Sequence, residues 1–407
     1  MDVLFLTVST GGGHQKAAEA VKEIIDEYYP GSRTLIVDAL KYTSPIADKI
    51  IIGSYLNTIK KTPSVYRRLY KMSEMGKNFY GLNKRFNNLL SRRLLKLIND
   101  FKPSVIVTTH PFSLQMLSEL KKKTDFNIPV MAVVTDFAFH SFWLHEMVDA
   151  YIVAHEKLKE DMVKWGIPES RIHAYGIPVQ QKFLEKRDKK EVQVRLGLDE
   201  DKLTALVMGG SLGFGEIDKA FDSLLKCSRD IQIIVVTGEN KGLMKKISSC
   251  SVASNKKVKI FGFTDIVPEL MDVSDFLLTK PGGLTVSEAL VKGIPIFIIS
   301  PIPGAEEGNA DFLLRNGAAV RVLRNTSLDE VIEQTIDNPH KIKRIKEMSQ
   351  NLAKTDTRHK TAFLLAELAK INNAFDNCNE DILRYNAGVK VKAGIFYNLK
   401  KRLLMWL

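Results

Sequence analysis

The sequence predicts two doubly wound α/β domains facing a cleft, followed by a helical C-terminal extension. Three observations lead there. Short apolar runs recur through both halves of the 407 residues, each followed by a helix-period segment, as expected of strands buried on both faces of a parallel sheet. A glycine-rich loop follows the first run of each half, STGGG at 9–13 and GGSLG at 209–213. A charged stretch without strand pattern, 181–200, separates the halves as a linker.

The N-terminal domain, 1–180, opens with an apolar strand at 3–8 and the loop Ser9-Thr10-Gly11-Gly12-Gly13-His14. The helix that follows carries Ala17, Ala20, Val21, Ile24 and Ile25. His14 is thereby delivered to a helix N-terminus at the carboxyl edge of the sheet, where open α/β folds bind ligands. Further strands are expected at 34–37, 105–109, 130–134, 150–154 and 172–176. The strand at 130–134 leads into Thr135-Asp136-Phe137-Ala138-Phe139-His140-Ser141-Phe142-Trp143, a concentration of aromatic and titratable groups expected of a site. In the second domain, 201–358, strands are expected at 203–208, 231–237, 258–261, 276–279, 294–299 and 318–322. Neither half has GxGxxG with a distant acidic partner, which argues against a NAD-dependent dehydrogenase.

The stretch TKPGGLTVSEALVKGIPIFIISPIPGAEEGNA, 279–310, carries the strongest chemical signal. Gly282 and Gly283 let backbone approach a ligand, and the unpaired amides of the following helix offer an anion a site, so a nucleotide-sugar diphosphate fits. Glu288 can accept two hydrogen bonds from a ribose. The loop 303–309, with Glu306, Glu307 and Asn309, suits sugar hydroxyls.

The net charge of +12 is unevenly placed: residues 60–102 hold twelve Lys or Arg against Glu74 and Asp100. Lys60, Lys61, Arg67 and Arg68 alternate there with apolar and aromatic groups such as Tyr66 and Tyr70, the mixture an interfacial segment needs to enter headgroups and meet anionic lipid. Composition alone leaves nucleic acid as a second target. The end of the chain, 359–407, is expected to be helical, and 389–407, VKVKAGIFYNLKKRLLMWL, to lie on a membrane surface. Three widely spaced cysteines without CxxC favour neither disulfides nor zinc and suit a reducing compartment. The first residues read as a strand rather than as a signal peptide.

Taken in order, STGGGHQKAAEA, TDFAFHSFW, YIVAHEKLKEDMVKWGIPESRIHAYGIPV, MGGSLGFG, FGFTD and KPGGLTVSEAL with PIPGAEEGNA resemble the GT-B glycosyltransferases, two Rossmann-like domains around a cleft. Within them the resemblance is to the family of monogalactosyldiacylglycerol synthases and processive diacylglycerol glucosyltransferases. It implies inverting, metal-independent transfer of glucose or galactose from a UDP-sugar to 1,2-diacylglycerol, without cofactor, on the cytoplasmic side of a membrane held peripherally through anionic lipid, with repetition on the product as an option. Amides of Gly209, Gly210 and Ser211, with those near Gly283, Leu284 and Thr285, would stabilise departing UDP. Gly262, Phe263 and Thr264 match the uracil-binding strand end, and Glu288 the ribose contact. His14 matches the family's GGGH histidine and is the expected base, with Asp136 as its orienting partner or rival. Gly12, Gly13, His140 and Trp143 would line the acceptor side. Ala305 departs from the pattern, replacing a glutamine that many relatives use on sugar hydroxyls; Glu306 or Asn309 would compensate. A UDP-N-acetylglucosamine-using lipid transferase, a nucleotide-sugar epimerase of the same fold and a non-enzymatic nucleotide-sugar sensor stay open alternatives.

Overall fold

The computed structural model describes residues 1–61, 67, 84–124, 127–252, 254–322 and 327–370. Two six-stranded, all-parallel sheets form the two domains. The first contains β1 (Asp2–Thr7), β2 (Arg33–Asp38), β3 (Val105–Thr108), β4 (Val130–Val133), β5 (Ala150–Ile152) and β6 (Ile172–His173), in the order β2-β1-β3-β4-β5-β6. The second contains β7 (Leu203–Met208), β8 (Ile231–Val236), β9 (Val258–Phe261), β10 (Phe276–Thr279), β11 (Ile296–Ile298) and β12 (Ala319–Arg321), in the order β12-β11-β10-β7-β8-β9. Helices cover both faces, so the central strands are buried on both sides; β3, β4, β8 and β10 have no residue outside the buried class.

Both orders reverse direction once, between β1 and β3 in the first sheet and between β7 and β10 in the second. At such a switch point neighbouring loops leave for opposite faces and open a crevice at the carboxyl edge. The loops after β1 and β3 bring in His14 and His110, and those after β7 and β10 bring in residues 209–213 and 280–283. Three helices matter most for the site: α1 (Gly12–Tyr28), α2 (Gly283–Lys292) and α3 (Ala305–Arg315). α1 seats Ala18, Val21 and Ile25 against the first sheet, and its Ala17, Ala20 and Ile24 are buried as well. α2 starts at the extended Gly282 and stops at Gly293, whose left-handed φ of 67° closes its C-terminus.

Between the sheets, 181–200 carries two short helices, Gln181–Leu184 and Lys189–Leu196, where the sequence suggested only an absence of strands. Residues 357–370 form a helix that returns to the first domain. Its Leu364, Leu365, Leu368 and Ala369 join one core cluster with Val3, Phe5, Val21, Val105 and Met131, and Arg358 bonds Glu27 of α1. The proposed membrane-surface helix at 389–407 lies outside the described residues. Among the described residues no helix is long and apolar enough to cross a membrane.

Because Leu365 is fully buried against the first sheet, Leu365→Ala is expected to cost about 2–5 kcal/mol in chemical denaturation.

Candidate active site

The two crevices face each other and merge into one cleft of about 970 Å³. Its walls include Gly12, Gly13, His14, Asp136, His140 and Trp143 from the first domain and Gly209, Gly210, Ser211, Phe263, Thr264, Gly282, Gly283, Leu284, Thr285, Glu288 and Glu306 from the second. Ile52, Ser54 and Thr58 of the helix Pro45–Lys61 line it as well.

The domains touch at backbone distance along the cleft floor. A Cβ on Gly283 would lie 1.9 Å from the Thr135 carbonyl oxygen, and one on Gly12 would lie 2.6 Å from the Ser211 hydroxyl. Gly283 therefore admits the opposite domain, where the sequence suggested room for a ligand. The Gly12 amide, in the first turn of α1 and without an intrahelical partner, donates to Ser211 Oγ at 2.8 Å.

His14 is fixed by its surroundings. Its Nδ1 donates to the Thr109 carbonyl at 2.8 Å, with the Thr135 hydroxyl 3.0 Å away. A carbonyl can only accept, so Nδ1 carries the proton and Nε2 is the lone-pair nitrogen. Burial pushes the imidazole down to about 4, against the opposing effect of the Thr109 bond, so the ring is neutral at pH 7. The orienting groups are thus Thr109 and Thr135 rather than Asp136. His110 packs edge-on against His14, ring centroids 4.5 Å apart, and burial, followed by the proximity of that second imidazole, holds its pKa well below the usual imidazole value. Its Nδ1 accepts from the Phe112 amide at 3.0 Å, leaving Nε2–H to donate to Thr10 Oγ1 at 3.2 Å.

Asp136 faces the second domain. Its Oδ1 accepts from Asn309 Nδ2 at 3.3 Å, and burial raises the carboxyl to about 6 against that bond. Asn309, expected on sugar hydroxyls, is fully buried in α3, and its amide is taken away from the cleft. Oδ1 accepts from the Phe137 amide at 2.7 Å, and Nδ2 also donates to the Pro281 carbonyl at 3.0 Å. It is a clasp between domains. Glu307, likewise expected on the sugar, accepts from the Gly304 amide and pairs with Arg67 at 2.7 Å. Arg67, expected at the membrane, is therefore paired with the second domain. The side chains of Lys60 and Lys61, and all of Tyr66, Arg68 and Tyr70, lie outside the described residues.

Glu288 lies on α2 in the cleft wall, and burial raises it to about 8 although Lys182 and Lys16 act in the opposite direction. Glu306 bonds Lys280 and the Ile302 amide. Phe263 is exposed at the cleft, whereas Gly262 is not among the residues that line it. Sequence reasoning gave no individual role to Thr109, His110, Thr135 or Lys280, although Thr135 opens the stretch expected of a site and Lys280 lies in the stretch 279–310. The first three follow strand ends directly, a signal that was on hand; a single lysine before Pro-Gly-Gly gave none.

Residues 14–179 match the monogalactosyldiacylglycerol (MGDG) synthase family and residues 204–362 the glycosyltransferase family 28 C-terminal domain. A processive diacylglycerol beta-glucosyltransferase of Bacillus cereus is 30% identical over 360 residues, covering 86% of this chain and 89% of that protein. The chain belongs to this diacylglycerol glycosyltransferase family. A Bacillus pumilus relative of the same description is 29% identical over 92% of this chain and 96% of its own. Among solved structures, Acinetobacter baumannii MurG (TM-score 0.59, 16% identity, 90% of this chain and 99% of that one) and a Neisseria meningitidis UDP-GlcNAc 2-epimerase (0.60, 15%, 90% and 100%) share the GT-B fold. An Anabaena protein, HepE, solved with UDP-glucose, does too (0.55, 14%, 90% and 100%). As a family member the chain is a glycosyltransferase.

Gly283→Ala is expected to lower the thermal unfolding midpoint by several degrees, because backbone must move. Gly282→Ala, whose nearest neighbours are the side-chain ends of Lys280 at 3.4 Å and Glu306 at 3.6 Å, should stay within about 0.5 kcal/mol of the parent. Equal effects would count against the backbone contact as the reason for glycine at 283.

Proposed function

We propose that this chain moves a hexose, glucose or galactose, from its UDP form to the hydroxyl of 1,2-diacylglycerol at the cytoplasmic face of a membrane, with inversion and without a metal. The observation that carries this is the placement of a neutral, Nδ1-protonated His14 across the cleft from two glycine loops that meet at a topological switch point. The named activity of the Bacillus relatives supports the acceptor class. UDP as carrier is supported by the amides at Gly209, Gly210, Ser211, Gly283, Leu284 and Thr285, and by Glu288 with Phe263 beside them.

In this reading the acceptor oxygen attacks the anomeric carbon from the His14 side and gives its proton to Nε2, while the bond from that carbon to the diphosphate breaks. A base near 4 is weak in the empty cleft; entry of the anionic donor raises it toward neutrality. The first-turn amides of α2 and those of the loop after β7 receive the charge on departing UDP without reorganising. Asp136 shares the floor, and its carboxyl near 6 makes it the second candidate base.

The direct test offers UDP-glucose, UDP-galactose and UDP-N-acetylglucosamine separately, with diacylglycerol in anionic vesicles, and identifies lipid products by mass. One hexose donor should yield a glycolipid, and a chelator should leave the rate unchanged. Turnover of a soluble UDP-sugar without lipid would redirect the assignment to an epimerase. His14→Ala is expected to lower kcat by about 10²–10⁴-fold while leaving UDP affinity intact.

Glu288 makes a further expectation. Ribose hydroxyls prefer a carboxylate, which below about 8 must first lose a proton in the empty cleft. Uridine affinity should tighten as pH rises from 6 to 8 and then level off. Uridine has no titrating phosphate, so a flat calorimetric profile would remove Glu288 from the ribose.

A further inference from the structure

The loop after β4 is gripped from both domains, and the grip runs through one side chain outside the chemistry described above. On α3, Gly308 and Phe312 lie one turn apart with Asn309 beside them, and all three meet residues 136–138. A Cβ on Gly308 would lie 2.3 Å from the Ala138 Cβ, Asn309 accepts from the Phe137 amide, and the Phe312 ring lies 5.2 Å from that of Phe137. Residues 135–139 belong to no strand or helix, so these contacts alone hold a loop. His155 carries the grip into the body of the first domain. It stands three residues after β5 and caps the helix Glu156–Lys164, its Nδ1 accepting from the Leu158 amide at 3.1 Å. An amide only donates and a carbonyl only accepts, so the ring proton is on Nε2, which donates to the Phe137 carbonyl at 2.8 Å. Burial holds its pKa below the usual imidazole value, so the ring is neutral at pH 7. The same ring lies flat on Phe312, centroids 3.9 Å apart at 9°, with the Phe137 ring stacked at 6.0 Å. A cap needs none of this, since Ser, Thr, Asp or Asn serves a helix N-terminus well. A flat ring with a distal N–H serves all three partners at once.

We propose that His155 is a positioning residue for glycosyl transfer: by joining the Phe137 carbonyl to Phe312 it converts a hold on one loop into a hold on the first domain, and so sets where His14 stands relative to the donor half. This rests on the reading above in which His14 takes the acceptor proton. The path is short. Phe137 has its N–H on Asn309 of the second domain and its C=O on His155 of the first. Two residues earlier, Thr135 places its carbonyl against Gly283 and its hydroxyl 3.0 Å from Nδ1 of His14. With the His155 ring removed, the loop stays with α3 through Asn309, while the first sheet and His14 on α1 are free to shift against it. Transfer is sensitive to such shifts, since an ångström of misplacement costs about 10²-fold in rate. UDP affinity is not, because in the same reading the nucleotide is held by the second domain.

The test uses His155→Thr, which keeps an oxygen cap for its helix, Phe312→Leu, which keeps apolar volume, and the two together. Each single variant is expected to make glycolipid in vesicles with kcat about 10–100-fold below the parent, while calorimetric UDP affinity stays within about twofold. The double variant should be no slower than the slower single one, because both substitutions remove the same link. Small-angle X-ray scattering reads the alignment without activity: each variant should show a larger radius of gyration than the parent chain. The proposal is overturned by a His155→Thr kcat within about threefold of the parent, by losses that multiply in the double variant, by parallel loss of UDP affinity, or by an unchanged radius of gyration. If the parent chain makes no glycolipid, the transfer reading fails instead, and the scattering comparison still decides whether His155 holds the domains together.

Discussion

The contact between the two domains on the cleft floor is the constraint from which the rest follows. Gly283 accepts the Thr135 carbonyl into the space of its missing side chain, and Asn309 reaches from α3 to the Phe137 amide, the Asp136 carboxyl and the Pro281 carbonyl. These contacts bring the carboxyl edge of one sheet to that of the other. Without them His14 and the glycine loops would be two half-sites on separate bodies. Leaving one group of a buried amide unpaired costs about 1–3 kcal/mol, so the clasp defines an alignment as well as a distance.

That alignment creates a weakly solvated cleft, and the titratable groups report it with opposite signs. Burial drives His14, His110 and His140 down and Asp136 and Glu288 up. Each group is thereby biased to its neutral form, which removes charge the empty cleft could not stabilise. Lys280 and Glu306, by contrast, are paired with each other in the cleft wall. On the reading proposed above, an anionic donor would change this balance and raise the histidine toward function as a proton acceptor, so that the protonation state the chemistry needs is assembled when the donor arrives.

Much of this was legible in the chain. The twelve strands among the described residues were marked by apolar runs between helix-period segments, most plainly β3, β4, β8 and β10, where a strand covered on both faces has no polar alternation to hide it. Glycine loops after the first strand of each half located both switch points. Pairing between residues far apart was not legible. Ser211 meets Gly12, Asn309 meets Asp136 and Arg67 meets Glu307 across 199, 173 and 240 positions. Nothing local distinguishes a buried clasp such as Asn309 from a loop amide awaiting a sugar. The same holds for residues 357–370, whose apolar period suits either domain and whose return to the first is decided by the surface left open beside α1.

Glu288 shows a cost that the fold carries in its cleft wall. Its carboxyl titrates near 4.5 in an unfolded chain and near 8 in the empty cleft, so between those values the folded state holds more protons than the unfolded one. Stability must then fall with rising pH across that window: the contribution is fully present below about 4.5 and lost as pH passes 8. One pKa unit corresponds to about 1.4 kcal/mol, so keeping an acid in this wall is expensive at neutral pH. A solvated side chain at the same point on α2 would avoid the cost, yet it would already be paired with water when a ligand hydroxyl arrived. The poorly solvated carboxyl has few competing partners, so on the proposed reading hydrogen bonds from a ribose would gain more there than at the surface. The cost to the fold and that proposed preference for a nucleoside would then share one origin, a buried acid on the second turn of α2.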